Sequence, residues 1–408
     1  MKVYLVGGAV RDRLLKLPVG ERDWVVVGSS PEEMVRLGFR PVGKDFPVFL
    51  HPDSGEEYAL ARTERKQGTG YHGFVFHTGP EVTLEEDLSR RDLTINAIAE
   101  DDDGQLIDPY GGQQDIENRV LRHVSDAFVE DPLRVLRVAR FYARFHPLGF
   151  RLADDTRHLL REIAASGELA TLQPERVWQE TRRALMGEAP SKYFELLQEV
   201  DALQPLFPEL HAQFGKPQPK KYHPEIDAGL HTLLALDQIA RLDGELAARY
   251  AVLCHDYGKG LTPAAILPSH RGHEAAGLPL VRACSERLKV PRDCLALALM
   301  VTEQHLKIHT AAQLRADTIV DLLVRCDALR RPDRFAQFLL ACEADARGRT
   351  GLEDRAYPQA DYLMRCLQAM QALNDGEIAG ACQTPADIPE ALRKARIRAV
   401  KAVSKPSG

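Results

Sequence analysis

Between residues 7 and 23, Gly7-Gly8, Arg11, Arg13, Glu21 and Asp23 are of the types and spacing that phosphate chemistry uses. The apolar run Val3 to Val6 feeds the glycine pair, and Val10, Leu14 and Leu15 then fall at helical spacing. A strand that turns through glycine into a helix exposes backbone N–H donors beside the positive helix end. That is a cradle for a triphosphate at Gly8, to which Arg11 adds charge. Glu21 and Asp23 stand at the start of Trp24 to Val27, apolar and β-branched enough for a buried strand, so both carboxylates are expected on one strand face. Two such acids repel unless a cation lies between them. Mg2+, which takes oxygen ligands and keeps positions for water and phosphate, suits an open pair of this kind. Taken singly, Gly-Gly is an ordinary strand-to-helix connection and acid-x-acid a solvated edge; their succession is what points to chemistry.

Three later stretches hold similar residue types. In RRDLTINA, residues 90 to 97, Arg90 and Arg91 precede Asp92, a cap or turn former, with Asn96 beyond it. In EDPLRVLRVARF, residues 130 to 141, Asp131 precedes a proline suited to a first helical turn, so Asp131 is expected to cap a helix. Arg134, Arg137, Arg140 and Arg144 then share one face, with Val135, Leu136, Val138, Ala139 and Phe141 between them. The pattern predicts a helix with a buried side and an arginine side; as a pattern alone it fits a solvated basic face equally well. Further on, the apolar stretch Tyr250 to Leu253 ends in His255-Asp256, followed by Gly258-Lys259-Gly260.

The elements that must position these residues change character along the chain. Strands dominate the start, with a helix near Pro31 to Leu37 and extended runs at 46 to 50 and 57 to 63. Residues 67 to 80, QGTGYHGFVFHTGP, have four glycines and no helical period, and are expected to form a loop. Asp108 to Gly112 is a turn cluster that should close the head, and helical patterns follow from about residue 114. A second break falls at residues 215 to 224, rich in proline and lysine. With 408 residues, two to four domains are expected. The composition, 44% apolar and 27% charged, is that of a soluble globular protein. No apolar run reaches membrane-spanning length and no signal pattern opens the chain. All seven cysteines lie in the second half without a C-x-x-C, which predicts reduced thiols in the cytoplasm and excludes a disulfide framework or zinc finger. The net charge of −6 does not suggest a nucleic-acid binder, but residues 119 to 192 hold 13 Lys/Arg against 10 Asp/Glu, a local excess that could track an RNA backbone.

LVGGAVRDRLL with E-R-D, then RRDLTINA and EDPLRVLRVARF, resemble in type and order the motifs of bacterial CCA-adding enzymes, the tRNA nucleotidyltransferases of the class shared with bacterial poly(A) polymerases. The resemblance continues through HPEID at 223 to 227 and LCHDYGKG at 253 to 260, where it is to the subgroup carrying an HD phosphohydrolase domain. It implies an α+β fold: a small polymerase-β-like nucleotidyltransferase head, a mixed sheet with helices, followed by mostly α-helical middle and HD domains. The expected divisions are a head at 1–112, a middle domain binding nucleotide and tRNA at 113–222, an HD domain at 223–345, and a helical C-terminal region at 346–408 with a frayed tail.

By resemblance, Glu21 and Asp23 are the catalytic Mg2+ ligands, although Glu21 stands where Asp is expected, and Gly8, Arg11, Arg91, Asp92, Asp131, Arg134, Arg137 and Arg140 bind ATP or CTP. Asp131 and Arg134 would read the base. Cytosine and adenine each present an amino donor beside a ring-nitrogen acceptor, which a carboxylate and a guanidinium can pair; uracil and guanine present the reverse order. At the HD site the resemblance points to His231, His255, Asp256 and Asp327 as ligands, with His273 and His305 as additional candidates and Lys259 on the phosphate. Imidazoles with carboxylates suit Ni2+, Co2+ or Mn2+ better than a purely oxygen-bound Mg2+. His211, His223 and His309 are read as structural or surface residues.

The implied activity is template-independent addition and repair of the tRNA 3′-terminal CCA from CTP and ATP. The second site is expected to hydrolyse 2′,3′-cyclic phosphates, 2′-nucleotides and phosphomonoesters. The expected partner is the tRNA acceptor end, without a membrane, and the expected assembly a monomer or homodimer. Two alternatives stay open at this point: a poly(A) polymerase, and an RNA-end phosphohydrolase whose head only binds nucleotide.

Overall fold

The computed structural model describes residues 1–42, 48–66 and 74–406. Two compact units emerge, one made of Met1–Thr181 with Lys192–Leu206, the other of Arg182–Ser191 with the chain from Phe207 onward.

The first unit is built on a mixed sheet. β1 (Lys2–Val6) runs into α1 (Gly8–Leu14), and β2 (Asp23–Val27) returns antiparallel to β1 before α2 (Pro31–Arg36). With β3 (Arg40–Val42), β4 (Val48–Leu50) and β5 (Glu57–Leu60), and with β8 (Ala99–Glu100) and β9 (Leu106–Ile107) on the other edge, the order among the described residues is β3-β4-β5-β2-β1-β8-β9. Within this sheet, among the described residues, only β2 and β5 pair in parallel. Side chains alternate across the strands, so Val25 joins Val6, Leu88 and Ala99 on one face while Val26 joins Met34, Phe39 and Leu60 on the other. Apolar cores on both faces explain why Trp-Val-Val-Val reads as a continuous run rather than an alternation.

Between β5 and β8 lie a hairpin of β6 (Arg62–Lys66) and β7 (Phe74–Thr78), then α3 (Leu84–Ser89), entered by a capping box of Thr83 and Glu86. The expected loop at 67 to 80 is thus corrected at its end, because its Phe-Val-Phe segment pairs as a strand; residues 67 to 73 lie outside the described residues. Residues 46 and 47 of the expected extended run lie outside them too, and 48 to 50 form β4. α4 (Gly112–Asn118) and β10 (Val120–Leu121) follow, then α5 (Leu133–Phe145), β11 (Arg151–Leu152), α6 (Asp154–Ala165), α7 (Pro174–Leu185), α8 (Ser191–Glu199) and α9 (Leu203–Leu206).

The second unit is helical among the described residues. Its elements are α10 (Pro208–His211), α11 (Ala228–Arg241), α12 (Leu246–Cys254), α13 (His273–Arg287), α14 (Arg292–His309), α15 (Ala316–Arg325), α16 (Pro332–Arg347), α17 (Pro358–Gln371), α18 (Asp375–Gly380) and α19 (Ile388–Lys401). α12 is buried almost all round, from Ala248 to Cys254, so it is the central element. No helix among the described residues is long and apolar enough to cross a membrane, and all seven cysteines are free.

Candidate active sites in the two units

In the first unit the register of β1 against β2 brings the phosphate cradle to the acids. Val6 pairs with Asp23, so the end of β1, where Gly7-Gly8 begins, lies beside the start of β2. Gly7 has φ 69 and ψ −124, and a Cβ there would stand 2.8 Å from an Arg91 guanidinium nitrogen. Only glycine allows both the turn and this approach of the arginine. Asp23 is accessible at the strand start, yet the surrounding protein raises its pKa, Arg91 pulls it down and the Glu21 carboxylate pushes it up again. Glu21 itself precedes the strand, which begins at Asp23, so the expectation that both acids share one strand face is corrected. The two carboxylates still repel one another, the electrostatic condition that a divalent cation relieves.

Behind the turn, α5 presents its arginines to partners that all belong to the first unit. Arg11 is buried: its Nε donates to Asp12 at 2.8 Å, its NH1 donates to Asn96 Oδ1 at 2.5 Å, and it packs over the rings of Phe141 and Phe145. Asp92, also buried, accepts from the Leu93 N–H and Asn96 Nδ2 at 2.8 Å each, and from Arg137 Nε at 2.8 Å and NH2 at 2.7 Å. Burial alone would raise its pKa, but Arg137 and these donors hold it far below the usual carboxylate range. Arg140 pairs with Glu180 at 2.5 Å and Arg144 with Asp12 at 2.9 Å. The arginine face is therefore a chain of paired charges joining the glycine turn to the helix, not a solvated stripe.

Asp131 lies one residue outside the expected cap position. Proline holds that place and α5 begins at Leu133, but Asp131 Oδ1 still accepts from the Leu133 N–H at 3.0 Å and its Oδ2 pairs with Arg176 at 3.1 Å. Arg134 donates to the backbone carbonyls of Ala127 at 2.8 Å and Arg90 at 2.5 Å. Arg176 and Glu180, both on α7, and Asp12 carry no signal in the chain other than their charge.

In the second unit four elements converge on Asp256, just beyond α12. His255 Nε2 lies 3.1 Å from Asp256 Oδ2, and His231 Nε2, from α11, 3.8 Å. His273 Nε2, at the start of α13, and His305 Nε2, on α14, lie 3.2 and 3.8 Å from Asp256 Oδ1. Lys259 Nζ is 2.6 Å from Oδ2 and also donates to Gln218. Gly258 makes the close approach possible, since a Cβ there would meet the His273 carbonyl oxygen at 2.0 Å. Asp327, expected in this cluster, is corrected: it sits at φ 53 just past α15, 3.6 Å from each of Arg330, Arg331 and Arg334. The place is held by Asp345 of α16, whose Oδ1 lies 3.0 Å from His231 Nε2 and 3.8 Å from His255 Nε2.

His223 and His309, read as structural or surface residues, are also corrected. His309 Nε2 meets Asp345 Oδ2 at 2.6 Å while its Nδ1 meets the Tyr357 hydroxyl, and His223 meets Glu225, which faces His231 Nδ1 at 3.1 Å. The missed signals were the i, i+4 repeat of His305 and His309 on one helix and the Glu within HPEID. Asp345 gave none.

These residues fit a divalent metal. The Nδ1 atoms of His231, His255, His273 and His305 each face a backbone carbonyl, of Gly348, Val252, His270 and Val301, at 2.7 to 3.0 Å. A carbonyl accepts only, so each neutral ring carries its proton on Nδ1 and turns a lone pair inward on Nε2. Burial lowers His305 to about 3, keeping it neutral. His255 Nε2 and the Asp256 carboxylate are buried, and among the described residues they meet only the neighbouring imidazole nitrogens, Asp345 and the Lys259 ammonium, an arrangement that suits a ligand set. A cavity of about 1260 Å3 opens beside the cluster, lined by Lys259, His273, His309, Arg271, Arg349 and Tyr357 among others. When bound, such a metal supplies an activated hydroxide for attack on phosphorus.

The class follows from both units. Residues 3–122 match the poly A polymerase head domain, 149–214 a probable RNA and SrmB-binding site of polymerase A, and 229–329 an HD domain. Among similar proteins are the multifunctional CCA proteins of Ectopseudomonas mendocina, 58% identical over 98% of each chain, and Pseudomonas aeruginosa, 57% identical over the whole of each. The chain belongs to the multifunctional CCA protein family. Its fold is similar to that of the Bacillus stearothermophilus CCA-adding enzyme in complex with CTP, 26% identical with a TM-score of 0.58 over 98% of this chain and 88% of that one. It is also similar to that of the Thermotoga maritima CCA-adding enzyme complexed with tRNA-CCA, 21% identical with a TM-score of 0.65 over 100% and 88%.

Proposed function

We propose that the head adds and repairs the 3′-terminal CCA of tRNA from CTP and ATP without a nucleic-acid template, releasing pyrophosphate. The observation that carries this reading is the pairing of Val6 with Asp23, which sets a glycine phosphate cradle and its arginines beside a carboxylate pair. Glu21 and Asp23 would hold Mg2+, which lowers the cost of charge on the attacking 3′-hydroxyl and the leaving pyrophosphate. Gly8, Arg11 and Arg91 cradle the triphosphate, and Asp92 holds Arg137 in position. Asp131 and Arg134 read the base by exchanging their contacts with Arg176 and with the Ala127 and Arg90 carbonyls for the base edge. The helical segment 113–222 meets the tRNA acceptor end through backbone and shape contacts, so affinity falls as salt rises.

The test is a tRNA lacking its end, supplied with CTP and ATP. Ordered addition of C, C and A is the expected result. A run of A would indicate a poly(A) polymerase, and no incorporation a head that only binds nucleotide.

The HD site, loaded with Ni2+ or another divalent transition metal, is proposed to hydrolyse 2′,3′-cyclic phosphates, 2′-nucleotides and phosphomonoesters, with Lys259 steadying the phosphate. The inward Nε2 lone pairs beside a cavity rimmed by lysine and arginine support it. His255→Ala should remove cyclic-phosphate hydrolysis while leaving CCA addition intact; hydrolysis retained in the purified variant would refute the assignment.

A further inference from the structure

We propose that residues 216–228 form the nucleotide-recognition element of the HD cavity, with Gln218 donating to a phosphate oxygen and the Tyr222 ring stacking on the base; this rests on reading the cavity as a phosphohydrolase site. The segment holds most of the proline- and lysine-rich break at residues 215 to 224. Folding turns that break into one wall of the cavity, because Gln218, Pro219, Tyr222 and His223 all line it. A neck of backbone contacts fixes the segment. The Ala228 N–H donates to the Lys216 carbonyl at 3.0 Å and the Gln218 N–H to the Ile226 carbonyl at 2.6 Å, while Pro217 bridges to Asp227. Beyond the neck, the Pro217 carbonyl meets His270 Nε2 at 3.1 Å, and the Tyr222 carbonyl accepts from Arg349 at 3.3 Å. Gln218 and Tyr222 are therefore both held in place before a ligand arrives, which lowers the ordering cost of binding.

Gln218 carries an unsatisfied donor. Its side chain is buried, and its Oε1 accepts from Lys259 Nζ at 2.5 Å. An ammonium only donates, so this contact decides which way the amide faces, with Oε1 toward Lys259 and Nε2 turned from it. Nε2 is buried and has no hydrogen-bond partner among the described residues. A buried amide donor costs stability until something accepts from it. Lys259, Arg271, Arg347, Arg349 and Arg355 line the same cavity, so the acceptor it favours is anionic, as a phosphate oxygen is.

Tyr222 supplies the apolar counterpart. It is 56% exposed at the cavity wall, and Lys221 Nζ lies 5.3 Å from its ring centroid. An exposed aromatic face beside a cation is a platform for a nucleobase, because every base has a π-face to stack. At about 1260 Å3 the cavity exceeds the roughly 300–1,000 Å3 of ordinary small-molecule sites, which leaves room for phosphate, ribose and base together.

The test uses the full chain loaded with Ni2+ and two substrates with the same reacting ring: adenosine 2′,3′-cyclic phosphate, and glycerol 1,2-cyclic phosphate, which has no base. The parent should favour the nucleotide in kcat/KM by about tenfold or more. Tyr222→Ala should reduce that ratio by about tenfold, through KM rather than kcat, and Tyr222→Phe should restore it. In the metal-free chain, equilibrium dialysis of adenosine 2′-phosphate should show one site weakened by about tenfold in Tyr222→Ala. Gln218→Glu separates the two tasks of the amide, since it keeps an oxygen for Lys259 but replaces the donor with a second, charged oxygen. It should lower kcat/KM for both substrates by about tenfold or more. Circular dichroism checks that each variant is folded. A parent ratio near one, a ratio and affinity that survive Tyr222→Ala, or a Gln218→Glu variant that matches the parent would overturn the proposal while leaving the phosphohydrolase reading standing. Hydrolysis of neither substrate by the folded, loaded parent would overturn both.

Discussion

Asp92→Asn should cost the first unit about 3 kcal/mol at neutral pH, because it removes the charge on which four donors converge. The carboxylate is buried and takes the Leu93 N–H, the Asn96 amide and two nitrogens of Arg137. Breaking a buried ion pair costs about 3–5 kcal/mol, and hydrogen bonds to charged groups contribute about 1.5–3 kcal/mol each without adding fully. The Arg137 side chain keeps 35% of its surface exposed, so water compensates one end and the lower figure applies. The sign of the pH dependence follows from the depressed pKa of Asp92 in the folded state. Its stabilisation is fully present above the unfolded carboxylate value near 3.9 and is lost as pH falls from there toward the folded value, by about 1.4 kcal/mol per pH unit. Both tryptophans, Trp24 and Trp178, lie in the first unit, so urea unfolding followed by their fluorescence reports on it alone. The gap between parent and variant should be about 3 kcal/mol at pH 7 and at pH 5, and about 1 kcal/mol smaller at pH 3. A gap under 1 kcal/mol at pH 7, or one that does not shrink between pH 5 and pH 3, would refute the buried-pair reasoning.

Gly7→Ala should destabilise the first unit by about 1–2 kcal/mol through its positive φ and should weaken CTP binding by displacing Arg91, both measurable by unfolding and by equilibrium titration. Asp23→Ala should abolish CCA incorporation, whereas Glu21→Asp should preserve or raise it; single-turnover assays with each variant decide this, and addition surviving in Asp23→Ala would move the catalytic centre elsewhere. Asp327→Ala should leave metal content and phosphohydrolysis unchanged, because the side chain lies among three arginines, while Asp345→Ala should lower both.

Local sequence determined a good deal. Gly-Gly after an apolar run specifies a strand, turn and helix start, since only glycine takes the φ of Gly7 there, and Trp-Val-Val-Val specifies a buried strand. The arginine spacing on α5 and the apolar run ending in His255-Asp256 likewise follow from periodicity within a few residues. What the chain alone could not say is which distant group each side chain meets. Asp345 lies 114 residues from the His231 it faces, with nothing local to distinguish it from Asp327, and only the packing of α16 against α11 and α12 selects between them. In the chain Arg11 reads as charge beside the glycine turn and Arg140 as part of a basic helix face; only folding sets both against aromatic rings and carboxylates. The reason is physical: periodicity and turn chemistry act through neighbours in the chain and are written in it, whereas pairing of buried charges is decided by desolvation, which exists only once the helices have packed.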